Sequence, residues 1–137
     1  MREGQGTSFG AETSMSEAAK VRDFTDLLVW QRAIEFGRLV YHLSSSFPND
    51  ERFGLTAQVR RAAVSVAPNI AEGHARRRKE FCYFLSIARG STAEVESQLL
   101  FAVELGYLPI ADVRPARALA GELHRMLASL IRSFTDQ

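Results

Sequence analysis

The segment FCYFLSIARGSTAEVESQLLFAVELG, from Phe81 to Gly106, decides the fold class of this 137-residue chain. Its small and apolar positions alternate steps of four and three residues over more than three heptads: Phe81, Leu85, Ala88, Thr92, Val95, Leu99, Ala102 and Gly106. Side chains at this spacing share one face of an α-helix, and a seam of this length is typical of helices packed in a bundle. The segment therefore predicts one long helix that Gly106 and Pro109 end.

Two segments before it have the same helical spacing. The first begins after Asp23 or Thr25 and ends at residues 44–48, because the residue before Pro48 disfavours helical dihedral angles. Its predicted apolar face is Leu27, Trp30, Ile34, Gly37 and Tyr41. The second begins near Asp50 or Glu51 and stops at Gly73. Its predicted face is Leu55, Val59, Ala62, Val66 and Ile70, and Pro68 within it predicts a kink.

A fourth helix is predicted from about Ile110 to Phe134, with Pro115 near its first turns. Its predicted buried face is Leu119, Leu123, Met126, Leu130 and Phe134. Short connections make neighbouring helices antiparallel, and no strand pattern competes. We therefore expect an all-α protein, an antiparallel up-down-up-down four-helix bundle over residues 23–137. Residues 1–22 are poor in large apolar side chains, so we expect a flexible N-terminal arm there.

Composition excludes several classes of protein. Hydrophobic residues are 46% and charged residues 24% of the chain, which is close to the average of globular domains. No apolar run reaches about 18 residues, so no membrane-spanning helix is expected. Cys82 is the single cysteine, which excludes an internal disulfide and a cysteine-rich zinc site and favours a cytoplasmic location.

No residue pattern indicates catalysis. His42, His74 and His124 lie on three different segments, and none belongs to a paired metal-ligand motif. Cys82 has no neighbouring histidine to activate it, and no nucleophile elbow or phosphate-binding glycine loop is present. We expect no catalytic residues, no metal site and no cofactor, and therefore a protein that is not an enzyme.

A polar stripe follows one face of the second predicted helix, with steps of three, four, four and three residues: Gln58, Arg61, Ser65, Asn69 and Glu72. The stripe is consistent with a solvated face, with a ligand site, or with a structural polar seam inside the bundle or between subunits. Buried polar groups must be paired, and the third helix supplies partners. We favour the seam and predict an ion pair between Arg61 and Glu94.

Charge is segregated along the chain although the net charge is only +1. Residues 52–79 hold seven bases and one acid, and residues 94–122 hold five acids and two bases. Arg76, Arg77, Arg78 and Lys79 stand at the start of the third helix, where positive charge opposes the helix dipole. This basic segment is consistent with a solvated loop or with a phosphate-binding patch. A membrane surface role has little support, because no basic amphipathic helix with interfacial aromatic residues is present.

Several motifs occur in an order that resembles a known family. They are QVRRAAVSVAPNIAEG at 58–73, DLLVWQRA at 26–33, FP at 47–48 with ERFGLT at 51–56, IARGSTAE at 87–94 and LGYL at 105–108. The chain resembles, from about Phe24 to Phe134, the four-helix-bundle family of 23S rRNA intervening-sequence proteins, which is sometimes mislabelled as an S23 ribosomal protein. One departure is the proline, which stands at 68 where the family often has it one residue earlier.

The resemblance implies a ring-like homopentamer. A related branch, the accessory proteins of diversity-generating retroelements, associates with a reverse transcriptase and binds nucleic acid, RNA or DNA, through basic surface. The residues that would carry this activity here are Arg76, Arg77, Arg78 and Lys79, and then Arg60. Asn69, Glu72 and Gly73 match the family signature, and we expect a structural role for them.

We therefore expect a non-enzymatic homo-oligomer that associates with structured RNA through phosphate contacts. The alternative is a protein-interaction scaffold or accessory subunit that does not bind nucleic acid.

Overall fold

The computed structural model describes residues 21–135, and within them the chain forms four α-helices. Helix α1 spans Leu28–Ser44, α2 spans Leu55–His74, α3 spans Arg78–Glu104 and α4 spans Ile110–Thr135. Two short 3₁₀ turns, Phe24–Asp26 and Asn49–Glu51, precede α1 and α2. The predicted N-terminal arm, residues 1–22, lies outside the described residues except for its last two.

The helices pack as the predicted antiparallel bundle. Each helix contacts the next one along the chain, and α1 also contacts α4, so the four helices enclose one core. The largest fully buried side chains come from all four helices: Phe36, Ile70, Leu85, Leu99, Leu123 and Leu127. The seam predicted between Phe81 and Ala102 on α3 is buried at every position, and so is the apolar face predicted for α2.

The first two helices begin later than the sequence predicts. Asp23 accepts a hydrogen bond from the N–H of Phe24, at 2.7 Å, and so caps the 3₁₀ turn before α1. Glu51 likewise lies in a 3₁₀ turn and not in α2, and its carboxylate accepts the N–H of Leu55 at 2.9 Å. Both carboxylates thus accept backbone N–H groups near the start of a helix. Each acid, however, lies at the 3₁₀ turn before the α-helix that it was predicted to begin.

The apolar face predicted for α1 is mostly wrong, since only Leu27 and Trp30 of it pack against the core. The core takes Val29, Ala33, Phe36, Val40 and Leu43, which follow helical spacing just as well. Ile34 and Tyr41, which the spacing places in the core, keep 39% and 44% of their surface exposed. Helix α1 is therefore apolar on two faces, and spacing alone could not decide which one meets the bundle.

The predicted face of α4 is only partly right. Leu123 is fully buried, whereas Leu119, Met126, Leu130 and Phe134 are partly buried at the edge of the core. The other fully buried positions of α4 are Val113, Ala116, Ala120 and Leu127.

Gly73 does not end α2, which continues to His74. A Cβ atom on Gly73 would lie 2.7 Å from Cδ1 of Phe81 and 2.9 Å from Cβ of Phe84. The glycine therefore allows the close approach of α3 and is not needed for a left-handed cap. Gly106, with φ of 82°, is the one described residue with positive φ, and it follows the end of α3 as predicted.

Polar contacts join α4 to its two neighbours. Arg32 of α1 donates from Nε to Glu122 of α4 at 3.0 Å. Glu96 of α3 lies 3.1 Å from Nε2 of His124 and 3.7 Å from Nε of Arg117. Because these ion pairs are partly exposed, each adds little to the free energy of unfolding.

Candidate functional site

The basic segment lies at the turn between α2 and α3, at one end of the bundle. Arg76, Arg77, Arg78 and Lys79 are all exposed. Arg76 forms an ion pair with Glu72 one turn earlier on α2, and its guanidinium lies 5.4 Å from the ring centroid of Phe84. The stacked guanidinium holds its charge at the surface in a fixed place.

The following residues of this basic segment open helix α3. The N–H of Arg77 donates to Glu80 Oε1 at 3.3 Å, and the Arg78 guanidinium lies 5.8 Å from the ring centroid of Phe134 on α4. Glu80 places one negative charge in the first turn, which offsets part of the unfavourable interaction between the bases and the helix dipole. Four positive side chains thus lie together on one short stretch of surface.

Arg60 is not brought to this cluster. It precedes Arg76 by sixteen positions, about 24 Å along the direction of α2. Its Nε donates to Ser44 Oγ at 2.7 Å, and its Nη2 donates to the carbonyl oxygen of Tyr41 at 3.2 Å. The guanidinium also lies 4.5 Å from the ring centroid of Tyr41, so Arg60 joins α2 to the C-terminal turn of α1.

The polar stripe on α2 reaches α3 at one position. Ser65 Oγ lies 2.6 Å from Ser91 Oγ on α3 and 2.9 Å from the carbonyl oxygen of Ala62. Asn69 Nδ2 donates to the carbonyl oxygen of Ser65 at 2.7 Å, within α2.

The other members of the stripe do not reach α3. Gln58 and Arg61 are exposed, and Glu72 is paired with Arg76. Glu94 accepts a hydrogen bond from Gln98 at 3.3 Å. The predicted Arg61–Glu94 pair is therefore not among the ion pairs of residues 21–135. The seam as one structural unit stays a prediction.

A large apolar groove lies between α1 and α2, and sequence reasoning did not identify it. It has a volume of about 950 Å³. Its walls are Trp30, Ile34 and Tyr41 of α1 and Val64, Pro68 and Ala71 of α2. The sequence does contain an indication of this groove. Trp30, Ile34, Gly37 and Tyr41, which were predicted to face the core, line the groove.

Two arginines border this α1–α2 groove. Arg38 lines it from α1, and Arg61 lies three positions before Val64 on the same face of α2. Both are exposed, and within residues 21–135 neither takes part in an ion pair. Glu72 of α2 also lines the groove, but its charge is paired with Arg76. The groove is therefore apolar along its length, with two unpaired arginines at its edge.

Comparison with known proteins agrees with this architecture. The family model described as 23S rRNA-intervening sequence protein matches residues 25–129, more than half of the chain. The chain belongs to this family. A crystal structure of a protein of unknown function from the S23 ribosomal protein family of Bacteroides thetaiotaomicron is similar to this intervening-sequence protein, with a TM-score of 0.71 and 22% identity. The match covers 77% of this chain and 99% of that one, and it supports the fold. No curated protein gives a significant match.

The intervening-sequence protein shows no metal-binding cluster of three or more His, Cys, Asp or Glu side chains within residues 21–135. None of its helices in that range is long and apolar enough to cross a membrane. The structure thus offers two surfaces for function, the basic segment at the α2–α3 turn and the α1–α2 groove. One is suited to anions and the other to apolar side chains of a macromolecule.

Proposed function

We propose that this protein is a homo-oligomer without catalytic activity that associates with structured RNA in the cytoplasm through phosphate contacts. Homopentamer is the assembly that family membership suggests. The recognition would be of backbone shape and charge, because no element of the described bundle has the features of a base-reading motif.

The observation that carries the proposal is the run of four exposed bases at the α2–α3 turn. Arginine offers a planar fork of N–H donors that matches phosphate oxygens, and three of the four bases are arginines. The Lys79 side chain makes no hydrogen bond or ion pair with any residue of the described range, so its charge is not neutralised by a neighbouring acid there. Arg60 is not part of the proposed contact, because its guanidinium is held by α1.

The proposal is tested by fluorescence anisotropy with a labelled RNA hairpin at two salt concentrations. We expect affinity to fall steeply with salt, because each phosphate contact releases a counterion. The variant Arg77→Gln/Lys79→Gln should bind more weakly, with a slope of log K against log salt that is shallower by about 0.7 to 0.9 for each lost contact.

The matched control is Arg89→Gln/Arg114→Gln. It removes the same two charges from exposed positions of α3 and α4 that lie outside the basic segment. Equal losses for the two variants would mean that binding follows net charge and not this segment. Absence of RNA binding at low salt, with the protein folded, would contradict the proposal.

The α1–α2 groove favours a second candidate function, a protein-interaction scaffold or accessory subunit, with a partner such as a reverse transcriptase. Apolar contact with a partner would be insensitive to salt, whereas phosphate contact would weaken with it. The same titration with a protein partner in place of RNA therefore separates the two functions.

A further inference from the structure

We propose that the α1–α2 groove binds a second copy of this chain, which inserts the corner where α3 meets α4. This acid-flanked corner consists of Phe101, Glu104, Leu105, Ile110 and Asp112. The inference rests on the self-association proposed above, and it names the two surfaces that carry it.

The first argument is that α1 is apolar on two neighbouring faces, about 100° apart around the helix. Val29, Phe36 and Val40 fill the core, whereas Ile34 and Tyr41 lie in the groove and remain exposed. A surface helix normally has one apolar stripe, and a helix that is apolar on more than one side is normally covered on both. The outer face of α1 therefore needs a covering surface that the described bundle does not supply.

The second argument is the shape of the groove. Its floor is built from small residues, and a Cβ atom added to Gly37 would lie 4.0 Å from the carbonyl oxygen of Ala63. From Trp30 to Tyr41 the wall extends eleven positions, about 16 Å of helix. A channel of this length has room for the few large apolar side chains that the end of one helix and the start of the next can present together.

The third argument is that the chain has exposed apolar side chains of matching size at its other end. Phe101, Leu105 and Ile110 keep 56%, 45% and 43% of their surface exposed. Phe101 and Leu105 are four positions apart at the end of α3, so they lie on one face. Ile110 begins α4 after a short turn, which places a third apolar side chain at the same corner.

Charge selects this corner as the occupant. Glu104 and Asp112 flank it and are exposed, and within the described range neither belongs to an ion pair. The groove edge carries Arg38 and Arg61, and the one acid that lines the groove, Glu72, is already paired with Arg76. The unpaired charges of corner and groove are therefore opposite in sign. A groove packed against another groove would bring arginines toward arginines, which is unfavourable.

The contact is therefore heterologous, with two different surfaces on each copy. Each copy keeps one free groove or one free corner after the first contact. Assembly then continues until it closes as a ring, or extends as a filament.

The first test is the mass in solution, by light scattering, of Val64→Asp. Val64 lines the groove and is 51% exposed, so the substitution places a charge in the contact and not in the core. We expect the mass to fall to that of the 15.3 kDa chain. The matched control is Tyr83→Asp, which charges an exposed apolar position at the other end of α3 and should leave the assembly intact.

The second test separates a heterologous contact from a groove-to-groove contact. We expect Arg38→Glu/Arg61→Glu and Glu104→Arg/Asp112→Arg each to weaken assembly by roughly tenfold or more in dissociation constant. Mixing the two variants should restore pairing, because the acidic groove of one variant then meets the basic corner of the other. Restoration also shows that both variants are folded.

Several results would overturn the inference. A Val64→Asp variant that keeps the wild-type mass would show that the groove is not the contact. Assembly of the groove variant with wild type, together with an unchanged mass for the corner variant, would indicate groove-to-groove packing. A monomeric wild type would contradict self-association and this inference together, whereas RNA binding is tested by anisotropy and stands or fails independently.

Discussion

At the residue scale, Glu51 connects three parts of the bundle end. Its carboxylate accepts the O–H of Tyr107 at 2.6 Å and the N–H of Leu55 at 2.9 Å. These hydrogen bonds, the one from Tyr107 first, hold the pKa of Glu51 below its usual range. The same hydrogen bond and the charge of Glu51 raise the pKa of Tyr107 above its usual range. The pair ties the α1–α2 connection to the turn after α3.

The lowered pKa of Glu51 predicts a loss of stability in acid. Because the folded-state pKa lies below the unfolded value, the contribution is complete above the unfolded pKa and disappears as pH falls through the folded pKa. Urea unfolding from about pH 7 down to about pH 3 should show this loss in wild type and a smaller one in Glu51→Gln. Tyr107→Phe is the control, since it should lose most of the same dependence. An unchanged acid profile in both variants would contradict the assignment.

At the element scale, α2 continues through Pro68, and the residue after the proline adds a side-chain hydrogen bond to the turn before it. Proline has no N–H, and its ring crowds the carbonyl of Val64. Asn69 Nδ2 donates to the neighbouring carbonyl oxygen of Ser65 at 2.7 Å. We expect Asn69→Ala to cost about 1 kcal/mol in the free energy of unfolding. In a Pro68→Ala background the cost should be smaller by at least about 0.5 kcal/mol, which a double-mutant cycle measures. Additive effects would show that the amide does not compensate for the proline.

Two glycines within helices should respond to alanine in opposite directions. Gly73→Ala would drive a Cβ atom into Phe81 and Phe84, so we expect a loss of about 1 to 3 kcal/mol in the free energy of unfolding. Gly90 lies exposed within α3, where an added Cβ atom would meet no neighbouring group within 4 Å, so Gly90→Ala should gain about 0.5 to 1 kcal/mol. Chemical denaturation of both variants checks the pair. Equal effects would mean that α2 and α3 do not approach closely at Gly73.

The helices were predictable from the sequence, but which face of each helix packs into the core was not always predictable. In α2 and α3 the residues at heptad-like spacing are the ones that the core buries, so spacing identified these core positions. Helix α1 has two such stripes, and only packing shows that Val40 enters the core while Tyr41 enters the groove. Polar contacts between helices could not be predicted either. Arg60 of α2 donates to Tyr41 and Ser44 of α1, and residue spacing within one helix carries no information on contacts with another.

At the scale of the whole molecule, the two surfaces meet at the end of α2, where Glu72 lines the groove and pairs with Arg76 of the basic segment. The basic segment was visible in the sequence as a run of charge, since consecutive residues at a turn are exposed together. The groove was not visible in the sequence, because it forms only where α1 and α2 lie side by side. Val64 in the groove lies thirteen positions before Arg77 in the basic segment, so variants at these two places alter assembly and RNA binding one at a time.

Assembly should strengthen RNA binding without adding a contact to any one copy. Several basic segments joined in one particle engage a long RNA at high effective concentration, so affinity rises well above that of a single segment. We expect Val64→Asp, with its basic segment intact, to bind a long structured RNA at least about tenfold more weakly than wild type. A short hairpin that reaches only one segment should bind both proteins alike. Arg77→Gln/Lys79→Gln should instead lose affinity for both RNAs while its mass in solution is unchanged. Equal affinity of wild type and Val64→Asp for the long RNA would show that one copy forms the complete binding site.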